Sequence, residues 1–322
     1  MNTALTRDAR IRLPLVCGAM YPCSNPELVG AVSAAGGIGI IQPIAFTYVH
    51  GHDFRAGVRL AQTLAAGNPL GFNALIEQSS TYYQRRMEAW IEIALEEGIR
   101  FFITSLGNPR WVVDRVSQVG GVVYHDVTAL KWALKGRDAG VRGLIAVNNR
   151  AGGHAGDVSA EALLDELRPV GLPVVCAGGI GTPADFRRVM DMGYAGAQLG
   201  TRFIAASECS ASADYKQAIL DATAADIVLT ERLTGVPVAV INNSYVRRLG
   251  LKAGPVARWM LQHRRTKHWM RTIYALRSLR QLKRDLGVRR GAEEYWQAGA
   301  SVDGIHEVKP AGQIVAEFEA AL

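Results

Sequence analysis

A histidine stands in a glycine-rich stretch near the middle of the chain. The apolar run Leu144–Val147 leads into Asn148–Gly156, which places His154 directly after Gly152 and Gly153. A histidine accepts or donates a proton near neutral pH, and small neighbours leave its ring accessible. We therefore predict that His154 is a catalytic acid or base. The alternative is a structural histidine held by hydrogen bonds.

Two other groups of small residues also follow apolar runs. One comprises Ala177, Gly178 and Gly179, and the other comprises Gly200 and Thr201. Glycines let backbone N–H groups approach a phosphate closely, and the start of a following helix favours its negative charge. The two groups together predict a phosphate site. The alternative is that these glycines only turn the chain.

The elements that must position these residues are short apolar runs alternating with amphipathic segments. Near-continuous apolar runs are typical of parallel strands covered on both faces, so the pattern predicts an α/β fold, a (β/α)8 TIM barrel. A doubly wound sheet is the alternative, but the glycine fingerprint of that fold is absent after the first run, where Gly18–Pro22 stands. The predicted strands are Leu13–Ala19, Gly37–Gln42, Leu70–Leu75, Arg100–Thr104, Gly121–His125, Arg142–Val147, Pro173–Ala177 and Ala195–Leu199.

Helix-like segments follow the first seven predicted strands. A capping side chain precedes proline at Asn25, Asn108 and Thr182, which suits a helix start, and Ser24–Glu27 also predicts a capping box. The C-terminal ends of barrel strands form the working face of this fold, so His125 joins the candidate site residues. The predicted helices lie near Pro26–Ala35, Phe54–Ala66, Tyr82–Glu97, Pro109–Gln118, Thr128–Ala139, Ser159–Leu167 and Pro183–Met192.

The alternation stops after Phe203, and the chain changes character. We predict a barrel over residues 1–212, a small, mainly helical cap over 213–292 and a return to the barrel over 293–322. The segment Val246–Arg290 holds 14 Lys or Arg and one acid, Asp285, whereas the whole chain has a net charge of +7. Three interpretations remain open: solvated helices packed on the barrel, attraction of anionic substrates, or nucleic-acid binding through Trp259, Trp269 and Tyr274.

The composition excludes several other classes of protein. The N-terminal residues lack the apolar region of a secretory signal, and no apolar run reaches the roughly 18 residues of a membrane span. The four cysteines, like the histidines and acids, show no metal-binding spacing. No GxSxG or Cys–His nucleophile pattern is present. We expect a cytoplasmic protein without a metal site, and a homodimer.

Four sequence elements resemble those of one family in order and spacing. They are Gly18–Met20, Ala151–Gly156, Ala177–Ile180 and Leu199–Phe203. The chain is similar to the FMN-dependent nitronate monooxygenases, formerly called 2-nitropropane dioxygenases. The resemblance is strong to about residue 210 and looser beyond. FMN-dependent enoyl reductases of fatty-acid synthesis and NADH:quinone reductases carry similar elements.

The resemblance implies a barrel that holds FMN at its C-terminal face, with a small second domain partly covering the flavin. It implies oxidation of alkyl nitronates by the flavin and O2 to carbonyl compounds and nitrite, with His154 taking the α-proton of a neutral nitroalkane or binding the nitronate. The alternative is an NAD(P)H oxidoreductase acting on a quinone or an enoyl thioester. The implied cofactor-binding residues are Gly18, Ala19 and Met20 along the flavin ring, Asn73, His125, Gly152, Gly153, Ala177 and Gly178, with Gly179, Gly200 and Thr201 at the phosphate.

Two residues depart from the family pattern. Arg150 stands four positions before the histidine, where an acid is common, and it adds positive charge beside the site. Asp126 stands at the end of the fifth predicted strand, directly after His125, where a lysine or a neutral polar residue is common. A carboxylate near the flavin is electrostatically unfavourable, so we expect Asp126 to point elsewhere.

Overall fold

Eight parallel strands form a closed barrel in chain order, with β8 pairing back to β1. A computed structural model describes residues 1–77, 81–233, 236–252 and 295–322. The predicted (β/α)8 architecture is confirmed, because helices alternate with these strands around the barrel. The barrel strands are β1 (Leu15–Cys17), β2 (Ile38–Ile41), β3 (Gly71–Leu75), β4 (Phe101–Ser105), β5 (Val122–Val127), β6 (Gly143–Val147), β7 (Val174–Ala177) and β8 (Gly196–Leu199).

The helices pack their apolar faces on the outside of the strands, and one extra helix precedes the barrel. The sequence did not predict that first helix, α1, which has only six residues. A π-helical turn at Ala45–Val49 follows β2. The helices are α1 (Ala4–Ala9), α2 (Pro26–Ala34), α3 (Phe54–Leu64), α4 (Thr81–Glu96), α5 (Arg110–Ser117), α6 (Leu130–Asp138), α7 (Ala160–Leu167), α8 (Pro183–Asp191) and α9 (Thr201–Ile204).

Helix α1 joins the core inside the barrel. Its buried Leu5 and Ala9 belong to the same apolar cluster as Val16, Tyr124 and Val175, which lie on the strands. The hydroxyl of Tyr124 donates a hydrogen bond of 2.9 Å to a carboxylate oxygen of Asp8, which also lies on α1. The interior is thus filled with side chains rather than open. A ligand can therefore bind only at the ends of the strands and not inside the barrel.

The helix starts follow the predicted caps in part. Thr182 forms a full capping box with Asp185 at the start of α8. Asn25 is the N-cap of α2 but caps with no side-chain hydrogen bond, so the predicted box at Ser24–Glu27 is wrong. The Asn25 amide instead donates 2.9 Å to the carbonyl of Glu208, because tertiary contacts to the chain after α9 compete for it.

Replacing Thr182 by alanine removes the hydroxyl that accepts from the Asp185 N–H and donates to the Asp185 carboxylate, while the Thr182 backbone N–H stays. We expect the free energy of unfolding to fall by about 0.5–2 kcal/mol, the usual cost of losing a side-chain cap. Urea denaturation followed by circular dichroism measures the change. Thr182→Ser keeps the hydroxyl and should stay near the parent. A loss equal to that of alanine contradicts the assignment.

Beyond the barrel, the described chain contains helix α10 (Ala213–Asp221), strands β9 (Ile227–Thr230) and β10 (Val238–Ile241), and helices α11 (Ser244–Leu249) and α12 (Ala311–Glu319). β9 and β10 form a two-stranded antiparallel sheet, which the sequence did not predict. The domain division at residues 212 and 292 stays a prediction. Most of the basic segment lies outside the described residues, including Trp259, Trp269 and Tyr274.

The described residues contain neither a membrane-spanning helix nor a cluster of metal ligands. Their helices include none long and apolar enough to cross a membrane. No three of their His, Cys, Asp or Glu side chains come together as metal ligands. All four cysteines are buried free thiols.

Candidate active site

The inner face of the barrel becomes polar at the C-terminal ends of the strands. Side chains of successive strand residues point to opposite faces, so residues two positions beyond an interior apolar residue also face inward. On β4, Phe101 and Ile103 pack in the interior, so Ser105 also faces inward. The same rule places Asn73 on β3, Asp126 on β5 and Gln198 on β8 at the inner rim.

The predicted phosphate loops lie side by side because β7 and β8 pair in parallel, with Ala177 opposite Gln198. Gly178 and Gly179 have φ of 115° and 77°, the left-handed region that favours glycine. The side-chain amide of Asn148 donates a hydrogen bond of 3.0 Å to the carbonyl of Gly178. In a planar trans peptide the next N–H points the opposite way, so the Gly179 N–H faces away from Asn148.

Several backbone donors remain free at these loops. Within the described part of the chain, the N–H groups of Gly179, Gly200 and Thr201 donate to no protein acceptor. A Cβ added to Gly200 meets only Met20, at 3.6 Å. These donors and the open space beside Gly200 form a cradle suited to a phosphate.

Arg150 lies against the same loop. Its Nε is 2.7 Å from the position of a Cβ added to Gly179, so the side chain runs directly past that glycine. The guanidinium also donates 3.4 Å to the carbonyl of Ala300 and stays exposed. The departure from the family pattern therefore places a cation beside the phosphate loop.

The segment after residue 295 completes the rim. The N–H of Gly299 donates 3.0 Å to the hydroxyl of Thr201, and the N–H of Ala300 donates 2.9 Å to the carbonyl of Arg150. A Cβ added to Gly152 comes within 2.9 Å of the backbone of Ala298 and Gly299. No local pattern indicates this contact, because it joins residues far apart in the chain.

Gly153 pairs with the small sheet rather than standing free. Its N–H donates 3.3 Å to the carbonyl of Ala239 on β10, and the N–H of Ala239 donates 2.7 Å in return. The loop that carries His154 is thereby fixed to β10. The backbone of Gly152 and Gly153 thus serves at least to hold this loop in place.

His154 projects exposed from this fixed loop. Its ring has no hydrogen-bond partner among the described residues, so none of these holds it as a structurally bonded histidine. Surrounding protein lowers the pKa of the imidazole by partial desolvation. A neutral, unengaged imidazole at the rim is suited to accept a proton.

His125 is not brought to the rim. It lies on the outer face of β5, since Val123 and Val127 on the same side pack in the outer core. Its Nδ1 pairs with the Thr104 hydroxyl at 2.9 Å, and its Cδ2 is 3.2 Å from a Cβ added to Gly136 on α6. Burial lowers its pKa to about 4. This position removes His125 from the predicted cofactor-binding set.

The loop after β1 approaches the phosphate loops. A Cβ added to Gly18 comes within 2.9 Å of Gln198 Cγ, so a larger residue there would have to displace the Gln198 side chain. Ala19 packs on the apolar interior cluster, and the Met20 N–H donates 2.9 Å to the Ser24 hydroxyl. The structure thus brings these residues to the rim with Gly200.

Two rim side chains have buried oxygens without partners in the described structure: Asp126 Oδ1 and Gln198 Oε1. Gln198 was not among the predicted site residues, and Asp126 faces inward, contrary to the expectation that it points elsewhere. Buried polar atoms are normally hydrogen-bonded. Together with the free N–H groups of the phosphate loops, they suit a polar aromatic cofactor that ends in a phosphate, as FMN does.

The chain is similar to a known family and to proteins of that family's fold. A family model described as nitronate monooxygenase matches residues 2–320. A relative from Rhodococcus jostii is 27% identical over 77% of this chain and 68% of its own length. Its name is (3aS,4S,5R,7aS)-5-hydroxy-7a-methyl-1-oxo-octahydro-1H-indene-4-carboxyl-CoA dehydrogenase.

Two solved structures share the whole architecture. FabK from Thermotoga maritima superposes with a TM-score of 0.80 and 25% identity, covering 100% of this chain and 96% of the other. Nitroalkane oxidase from Streptomyces ansochromogenes gives a TM-score of 0.77 and 25% identity, covering 99% of each chain. The match therefore extends beyond the barrel to nearly the full length.

Proposed function

Because the chain belongs to the nitronate monooxygenase family, and is thus a flavin-dependent oxidoreductase, we propose that it binds FMN and oxidises alkyl nitronates with O2. The products are a carbonyl compound and nitrite. The observation that carries the proposal is the exposed His154, without a hydrogen-bond partner among the described residues, on a loop whose Ala151 lies against Gly178 next to the free N–H of Gly179.

The residues divide into two groups by what they can hold. The N–H groups of Gly179, Gly200 and Thr201 bind the phosphate, and Arg150 adds charge beside them. Rim side chains receive the ring system, and the remaining cofactor-binding residues are Gly18, Ala19, Met20, Asn73, Gly152, Gly153, Ala177 and Gly178. Bound FMN supplies the electron transfer, while the protein supplies position and electrostatics.

His154 performs the proton chemistry. In its neutral form the imidazole accepts the α-proton of a nitroalkane, which leaves the nitronate anion. The resulting imidazolium then lies beside that anion and stabilises it. A substrate supplied as nitronate needs only the second function.

Oxygen uptake and nitrite release test the proposal directly. We expect the FMN-loaded protein to consume O2 and release nitrite from an alkyl nitronate without any nicotinamide cofactor. Heat-treated protein and free FMN provide the background rates. Absence of nitrite above that background contradicts the monooxygenase assignment.

A second candidate is an FMN-dependent NAD(P)H oxidoreductase that acts on a thioester. It is favoured by the Rhodococcus relative, whose name includes a carboxyl-CoA substrate, and by the 14 Lys or Arg of Val246–Arg290, which suit a phosphorylated ligand. Anaerobic mixing with NADH and NADPH separates the candidates. Rapid loss of flavin absorbance with either one favours the reductase, and no change with both favours the monooxygenase.

The remaining expectations are part of the same proposal. Its partners are small molecules: a nitronate or nitroalkane, O2 and, for the second candidate, NAD(P)H. Cytoplasmic location, a homodimer and the absence of nucleic-acid binding stay predictions. Loss of a low-salt complex at physiological salt is the signature expected if the basic segment does bind nucleic acid.

A further inference from the structure

An acidic side chain stands inside the barrel rim and has no charged partner in the described part of the chain. Asp126 is the last but one residue of β5, and Val122 and Tyr124 on the same face pack in the barrel interior. Strand alternation therefore turns the Asp126 carboxyl inward. Its Oδ1 is buried and has no hydrogen-bond partner among the described residues.

Among the described residues, the elements around this carboxyl offer no compensating charge. On the β4 side the inward residues are Ile103 and Ser105, and on the β6 side they are Ile145 and Val147. Asn73 and Gln198, the other polar rim side chains, are uncharged. Burial alone raises the pKa of Asp126 to about 7, and neither Arg150 nor His154 contributes to the shift.

Protonation changes what this group can do. A carboxylate only accepts hydrogen bonds, whereas a neutral carboxylic acid also donates one. A ligand that covers the rim removes water from the carboxyl and makes its charged form still more costly. The ring system of a flavin presents two carbonyl oxygens and several ring nitrogens as acceptors.

We propose that Asp126 is a protonated carboxylic acid in the flavin pocket and donates its O–H to an acceptor atom of the flavin ring. This inference rests on the proposed FMN site. It assigns Asp126 a binding role that depends on proton uptake, and it accounts for a carboxyl at a rim that must receive an electron-rich cofactor.

The sign of the pH dependence follows from linkage. Below the pKa of the free protein, the carboxyl is protonated before and after binding, so it contributes no pH dependence. Above pH 7, FMN binding requires proton uptake, and the dissociation constant rises with pH by up to about tenfold per unit. A carboxylate accepting a flavin N–H produces the opposite trend, with tighter binding as the pH rises.

The experiment measures the FMN dissociation constant by quenching of flavin fluorescence on titration with apoprotein, from pH 5.5 to 9. Asp126→Asn keeps a neutral donor and cannot ionise. The FMN phosphate, which titrates near pH 6, and His154 are present in both proteins. The ratio of the two dissociation constants at each pH therefore isolates Asp126.

We expect a constant ratio below pH 7 and, at pH 9, wild-type binding weakened by about ten- to a hundredfold relative to Asp126→Asn. Asp157→Asn removes an exposed carboxylate from the loop that carries His154 and should keep the wild-type profile. Parallel profiles for wild type and Asp126→Asn overturn the proposal, as does tighter wild-type binding at high pH. Failure of both proteins to bind FMN at any pH instead removes the proposed function on which it rests.

Discussion

Replacing His154 by asparagine lowers turnover on a neutral nitroalkane by a factor of about 10² to 10⁴, the usual contribution of a general base. Asparagine keeps polarity and size but cannot take the α-proton. Turnover on the corresponding nitronate, which has already lost that proton, falls much less. Steady-state oxygen uptake on both substrate forms measures the two effects.

The pH profile gives a second readout of the same residue. Because desolvation lowers the pKa of His154, its basic form persists to a pH below the ordinary histidine range. We expect kcat/KM on the nitroalkane to fall on the acidic side of that lowered pKa in the wild type, and this limb to disappear in His154→Asn. His306→Asn, at an exposed position, should change neither property. Equal losses on nitroalkane and nitronate contradict proton abstraction by His154.

Replacing Gly178 by alanine should abolish FMN retention. The backbone there has φ of 115°, which an L-residue adopts only with strain, and the new Cβ lies 2.5 Å from Asn148 Oδ1 and 2.6 Å from the Ala151 N. Relief of that overlap must move the Asn148 loop or the peptide that presents the Gly179 N–H. We expect FMN affinity to fall by about a hundredfold or more, equivalent to some 2.7 kcal/mol.

Gly193→Ala is the matched control for this substitution. Gly193 has φ of 99°, but a Cβ there meets no atom within 4 Å. It therefore carries similar backbone strain without the steric overlap and should lower thermal stability while keeping FMN affinity. Affinity is measured by fluorescence titration at a temperature 20 °C below the melting temperature of each variant, where both are folded. This separates a loss of FMN affinity from a loss of thermal stability. Equal affinities for the two variants show that the glycine loop does not hold the phosphate.

The sequence predicts the barrel well because its parallel strands are buried on both faces and read as apolar runs. The prediction fails where an element is short or where a contact joins residues far apart in the chain. Helix α1 has six residues and little periodicity, and Asn25 exchanges a local cap for a contact with Glu208. Whether a segment forms a helix or a strand depends mainly on its local sequence. The hydrogen bonds that one of its side chains makes depend on tertiary neighbours.

The site shows the same limit within a single strand. The near-continuous run Val122–Tyr124 lacks the alternation that reveals which side chains face inward, so sequence reasoning selected His125 and turned Asp126 away. In the structure, His125 faces outward and Asp126 faces the barrel interior. Gly152 stays in the proposed cofactor-binding set, and the backbone of Ala298 and Gly299 also approaches it, which no local pattern indicates.

The bond between the Gly299 N–H and the Thr201 hydroxyl spans 98 residues. A ribosome working at about 5–20 residues per second needs on the order of 5–20 s to produce the second partner after the first. During that interval the nascent barrel has its phosphate loops but lacks the backbone that secures them. We therefore expect the proposed FMN site to be completed late in synthesis, when Gly299 has been made, rather than when the barrel itself closes.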